Sequence, residues 1–122
     1  VWSSYEESCS MLMPNKQDLS VRISPSQMLA LARIEVHYFI HQNFLKPNVL
    51  LDGIAAISDK PAFIIQGRYD VVCPIYSADK LASLWPKAQY QIIDAAGHSA
   101  LEPGIQSALI NATEKMKNLG NF

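Results

Sequence analysis

Two strand-like runs, each followed by a polar turn and an amphipathic stretch, constrain this chain more than any other feature. The first is Ala62-Phe63-Ile64-Ile65-Gln66, closed by Gly67. The second is Tyr90-Gln91-Ile92-Ile93-Asp94, followed by the loop Ala95-Ala96-Gly97-His98. A short continuous apolar run such as the first fits a strand buried on both faces, as in a parallel sheet. Between the two, Ser77 to Trp85 reads as an amphipathic helix stopped by Pro86. A last helix opens at Pro103 or Gly104, with Ile105, Leu109, Ala112, Met116 and Leu119 on its core face. Strand, loop, helix, strand, loop, helix implies an α/β fold with parallel strands and right-handed crossovers.

The part before Pro61 has a different rhythm. Trp2, Tyr5, Glu6, Cys9 and Met13 recur at three-and-four spacing, one face of a helix over 2–13. Pro14 to Arg22 is polar and reads as a loop. Ser24 then fits an N-cap, Pro25 the first helical position and Gln27 the far side of a capping box. That helix is expected to run to about Gln42, with Met28, Leu31, Ala32, Tyr38 and Phe39 on its apolar face and Glu35 on the same face. Lys46-Pro47-Asn48 ends the unit, and Leu50 to Ile57 reads as a short helix or turn.

Length and charge narrow the function. A chain of 122 residues has room for one small domain, and 49% apolar residues suffice for a packed core. A net charge of -1, without a basic stripe, gives no footprint for nucleic acid. No apolar run approaches the ~18 residues of a membrane span. Val1-Trp2-Ser3 has neither the basic region nor the apolar core of a signal peptide. Without an initiator Met, the natural start is expected upstream. Cys9 and Cys73 form no metal or redox spacing, and two free thiols in a reducing cytosol is the plainer reading. A cytoplasmic location is therefore expected.

The residues with chemistry stand where a parallel sheet would use them, beyond the carboxyl ends of the strands. Asp70 follows the first strand in Gly67-Arg68-Tyr69-Asp70, and His98 follows the second in Ala96-Gly97-His98-Ser99. Adjacent loops would bring them together, and an Asp on a His ring nitrogen fixes the tautomer of a general base. The alternative is a surface-turn Asp and an unrelated loop His. Glu6 and Glu35 lie on apolar helix faces; together they could hold an ammonium group, or each could border its face and reach solvent, which spacing alone favours. His37 and His41 are four apart, a zinc-compatible spacing, but no third ligand accompanies them, so no metal is expected. Ser99 lacks the second glycine of a nucleophile elbow, since Leu101 stands there, and reads as a capping serine. Cys73, beside the apolar Val71, Val72 and Pro74, either lines a pocket near Asp70 or is a buried structural cysteine.

Five blocks in order resemble the proline iminopeptidases, serine aminopeptidases of the α/β-hydrolase fold. Gly67-Arg68-Tyr69-Asp70-Val71-Val72-Cys73-Pro74 is similar to their catalytic-acid loop. Ala96-Gly97-His98-Ser99 with Glu102-Pro103-Gly104 resembles their catalytic-histidine loop, and Leu84-Trp85-Pro86-Lys87-Ala88 the segment between. Ala32-Arg33-Ile34-Glu35 with His37-Tyr38-Phe39 resembles a cap-domain helix. Trp2-Ser3-Ser4-Tyr5-Glu6 resembles an earlier one, with Tyr5 in place of a second Trp.

The resemblance implies the C-terminal portion of an α/β-hydrolase fold over 59–122, preceded by part of a helical cap over 1–58. It implies Asp70 as triad acid, His98 as triad base, Glu6 and Glu35 as ligands of the substrate's amino terminus, and Val72 and Cys73 as lining of a proline pocket. The family's order Ser, Asp, His leaves the serine in an N-terminal half that these 122 residues do not include. The expected activity is release of N-terminal proline from peptides, without a cofactor, by the intact protein; the piece alone is expected to be inactive. Its unpaired sheet edge is expected to favour homo-oligomers. Two other readings are an esterase or epoxide hydrolase of the same fold, and a non-catalytic binding domain derived from a hydrolase.

Overall fold

A computed structural model describes residues 2–13 and 24–118, apart from the side chains of Ser3, Ser4 and Glu7. The elements are α1 (Trp2–Ser10), α2 (Pro25–Ile40), α3 (Val49–Asp52), β1 (Ala62–Gly67), α4 (Ile75–Leu84), β2 (Ala88–Ile93) and α5 (Pro103–Asn118), with short 3-10 turns over Gln42–Phe44 and Gly53–Ala56. The strands β1 and β2 pair in parallel, from Ala62 opposite Ala88 to Gly67 opposite Ile93. A parallel pair cannot be joined by a hairpin; here α4 makes the crossover. Both α4 and α5 lie against β1.

The α2 start follows its sequence signals. Ser24 Oγ accepts the Gln27 N–H, the Gln27 side chain accepts the Ser24 N–H at 2.9 Å, and Pro25 takes the first turn. The helix ends at Ile40 instead of Gln42, because Gln42, Asn43 and Phe44 have positive φ and turn the chain left-handed. The expected apolar face of α2 is corrected. Leu31, Tyr38 and Phe39 are exposed, and Met28, Ala32 and Glu35 form a half-buried stripe on the helix that packs with the short α1. One nine-residue helix is too narrow to cover a wide apolar stripe. Likewise α1 stops at Ser10, leaving Met13 beyond it and exposed. The expected loop over 14–22 lies outside the described residues.

The core sits between α5 and the sheet. Its buried residues are Ile54, Ala96, Ile105, Ala108 and Ala112. The inner face of α5 is thus Ile105, Ala108 and Ala112, not one through Leu109, which is 39% exposed. Alanine lets a helix approach a strand more closely than leucine, and Ala108 takes the contact. Leu119 lies outside the described residues. β1 is half-buried along most of its length, not buried on both faces as expected, because among the described residues only β2 pairs with it. Trp85 Nε1 donates to the Lys60 carbonyl at 3.0 Å and anchors the entry to β1.

Candidate active site

The two strand ends are stitched together by backbone bonds. Arg68 N–H donates to the Ile93 carbonyl and Tyr69 N–H to the Ala96 carbonyl, each at 3.0 Å. The Arg68 side chain reaches across to Asp94. The approach is so close that a Cβ on Gly67 would lie 1.9 Å from the Gly97 carbonyl oxygen and 2.8 Å from that of Ala96. Only glycine at 67 lets the two loops touch, and this contact brings Asp70 and His98 together.

Asp70 Oδ2 is 3.0 Å from His98 Nδ1. The Asp70 side chain is 5% exposed and that of His98 38%. Three further N–H groups converge on the same carboxyl. Oδ1 accepts from the backbone of Val72 at 3.0 Å and Cys73 at 2.7 Å, and Oδ2 accepts from Gln66 Nε2 at 3.0 Å. A carboxyl group ringed by donors leaves the shared proton on Nδ1 of the imidazole. His98 Nε2 then carries the lone pair, which is the tautomer a general base needs. The Gln66 amide is oriented without ambiguity, since its Nε2 also faces the Cys73 carbonyl at 3.1 Å.

Gln66 and Glu102 are the site residues that sequence reading missed. Gln66 sits within the strand run and carried no signal beyond being polar there. Glu102 carried one that was available: it stands in the block that resembles the histidine loop.

Glu6 and Glu35 come from different helices and meet. Burial, then the negative charge and hydrogen bond of Glu35, push the Glu6 carboxyl above the usual carboxylate range; the Trp2 hydrogen bond and His98 act against this. Trp2 Nε1 donates to Glu35 Oε2 at 3.4 Å. Two half-buried carboxyls thus meet, with Glu6 in electrostatic reach of His98.

Val72 is half-buried and Cys73 exposed, so the reading of Cys73 as a buried structural cysteine is corrected. Partial burial and the Asp70 charge hold the Cys73 thiol above its ordinary range, which keeps it a weak nucleophile. Cys9 is unpaired as well. Ser99 Oγ accepts the Leu101 N–H at 3.2 Å, as a turn serine does. His41 Nδ1 is bonded to the His37 carbonyl at 2.7 Å, and among the described residues no three metal-binding side chains cluster. No helix among the described residues is long and apolar enough to cross a membrane.

An acid on one strand-end loop holding a histidine on the next can take and return a proton, given a nucleophile above Nε2. Residues 4–104 match the family model described as the alpha/beta hydrolase fold. The chain is 43% identical to a proline iminopeptidase of Arabidopsis thaliana over 97% of its own length and 31% of the relative's. It is 44% identical to that of Xanthomonas citri and 42% identical to that of Xylella fastidiosa, over 93% of its length and 36% of theirs. It spans about a third of the length of these curated relatives. The match over 4–104, together with parallel strands flanked by helices and an acid and a histidine at adjacent strand ends, places this chain in the α/β-hydrolase fold family.

Proposed function

We propose that this chain supplies the acid and the base of a serine aminopeptidase that releases N-terminal proline from peptides. The observation that carries the proposal is the Asp70–His98 pair together with the meeting of Glu6 and Glu35, Glu6 being in electrostatic reach of His98. In this reading Asp70 orients His98 and stabilises the imidazolium, while His98 Nε2 takes the proton of a serine and returns it to the leaving amine. The serine comes from outside these residues, which contain no Gly-x-Ser-x-Gly elbow. Glu6 and Glu35 hold the prolyl secondary ammonium, so only a free amino terminus docks. Val72 and Cys73, beside Asp70, line the proline pocket. Residues 1–58 belong to a helical cap and 59–122 to the hydrolase core. The likeness to proteins named proline iminopeptidase supports the proline preference. Two unpaired thiols suit a cytoplasmic location. The open edges of the two-stranded sheet suit self-association of the piece.

The test compares the intact protein with the 122-residue piece on proline and leucine arylamides and on a simple ester. Proline preference in the intact protein and an inert piece are expected. Glu35→Gln should raise KM for the proline substrate about tenfold, the loss of one charged contact. A preference for the ester, or a KM unmoved by Glu35→Gln, contradicts the reading.

A further inference from the structure

Glu102 is a charged residue buried along its whole length, at 5% exposure. Its backbone carbonyl accepts the first α5 bond, from the Gln106 N–H. Its side chain accepts two backbone N–H groups, one from the preceding loop and one from the far end of the chain. Oε1 takes that of Gly97 at 2.6 Å, and Oε2 that of Leu12 at 3.2 Å. The residues between complete the junction: the Ser10 carbonyl accepts the N–H groups of His98 at 2.8 Å and Ser99 at 2.7 Å. Ser10 is the last residue of α1, which carries Glu6 one turn earlier. Burying a carboxyl is costly unless it is fully bonded, and here both oxygens are used on backbone.

We propose that Glu102 is a positioning residue, a latch that fixes the register between the amine-holding carboxyl of Glu6 and the proton-accepting nitrogen of His98. The inference rests on the roles given above to Glu6 and His98. His98 has its own tether in Asp70, so the latch is not needed to orient the ring. What it adds is the distance between the ring and α1. A substrate that must bridge from its ammonium to its scissile carbonyl depends on that distance; one without an amine does not. Gly97 leaves no slack, since a Cβ there would meet Leu12 N at 3.1 Å, Glu102 Oε1 at 3.2 Å and the Ser10 carbonyl at 3.3 Å.

The test uses Glu102→Gln in the intact protein. The substitution keeps the volume and turns one acceptor into an amide that opposes an N–H. With a prolyl arylamide, kcat is expected to fall at least tenfold more than with p-nitrophenyl acetate. Hydrogen exchange at the Gly97 and Leu12 amides should quicken about tenfold. Gly97→Ala, which presses on the same junction from the other side, should give the same substrate-selective loss if Glu102→Gln fails to fold. Equal losses on the two substrates reduce Glu102 to a stabilising residue and overturn the proposal, as do parent-like kinetics. An intact protein inert on the prolyl arylamide sinks the functional reading instead, and amide exchange at Gly97 then decides the latch alone.

Discussion

Glu6 shows how far a single residue can be read from spacing. Its place on an apolar helix face was visible in the sequence, and so was that of Glu35. That the two carboxyls meet was not, because it depends on how α1 lies against α2. Meeting has a consequence for pH. Burial and the Glu35 carboxyl raise the Glu6 pKa in the folded chain, so the native state binds its proton more tightly than the unfolded state does. Stability from this group is therefore greatest at low pH. It declines as pH rises from the ordinary carboxylate value, about 4.3, through the raised one, and is level above it. Glu6→Gln should accordingly raise Tm at pH 7 by roughly one to three degrees, a small effect because the site is partly solvated. The gain should vanish near pH 4. Thermal melts at the two pH values check this; no gain at pH 7, or one that persists in acid, contradicts it. Asp70 and His98 were legible for a different reason: each follows a strand run by a few residues, and parallel topology fixes where strand ends go. Gln66 was not legible, because nothing local distinguishes a strand glutamine that faces a carboxyl from one that faces solvent.

The elements divide by how local their causes are. The start of α2 was readable because a capping box closes within four residues. β1 and β2 were readable because apolar runs bounded by proline, glycine and polar turns fit few other structures. Inner faces were misjudged where they depend on partners: Leu31, Tyr38 and Phe39 on α2 are exposed, and Ala108 takes the place expected for Leu109 on α5. The early left-handed turn after Ile40 was missed too, since Gln42, Asn43 and Phe44 carry no glycine to announce it. The sheet itself predicts behaviour. Two parallel strands have two edges with unpaired backbone groups, and such edges template association. The isolated 122-residue chain is expected to form dimers or larger species at micromolar concentration. Sedimentation velocity checks this, and a monomer across that range contradicts it.

On the scale of the whole molecule, several apolar side chains of α2, among them Leu29, Ile34, Val36, Phe39 and Ile40, are exposed. The chain spans about a third of its curated relatives' length, and in the proposed reading Asp70 and His98 take their nucleophile from outside these residues. The family was legible because its blocks run through nearly the whole chain in order. The latch was not, because it joins residues 12 and 102 through a side chain whose direction no sequence pattern states. The central claim is that Asp70 holds His98 as the base of a serine triad. The measurement that tests it most directly is kcat of the intact protein and its Asp70→Asn variant on a prolyl arylamide. Asparagine keeps the shape but presents an N–H to Nδ1, which forces the wrong tautomer. A fall of roughly ten-thousand-fold is predicted, the size seen when a serine triad loses its acid in this way. A variant that retains parent-like turnover would show that Asp70 and His98 are neighbours without being partners.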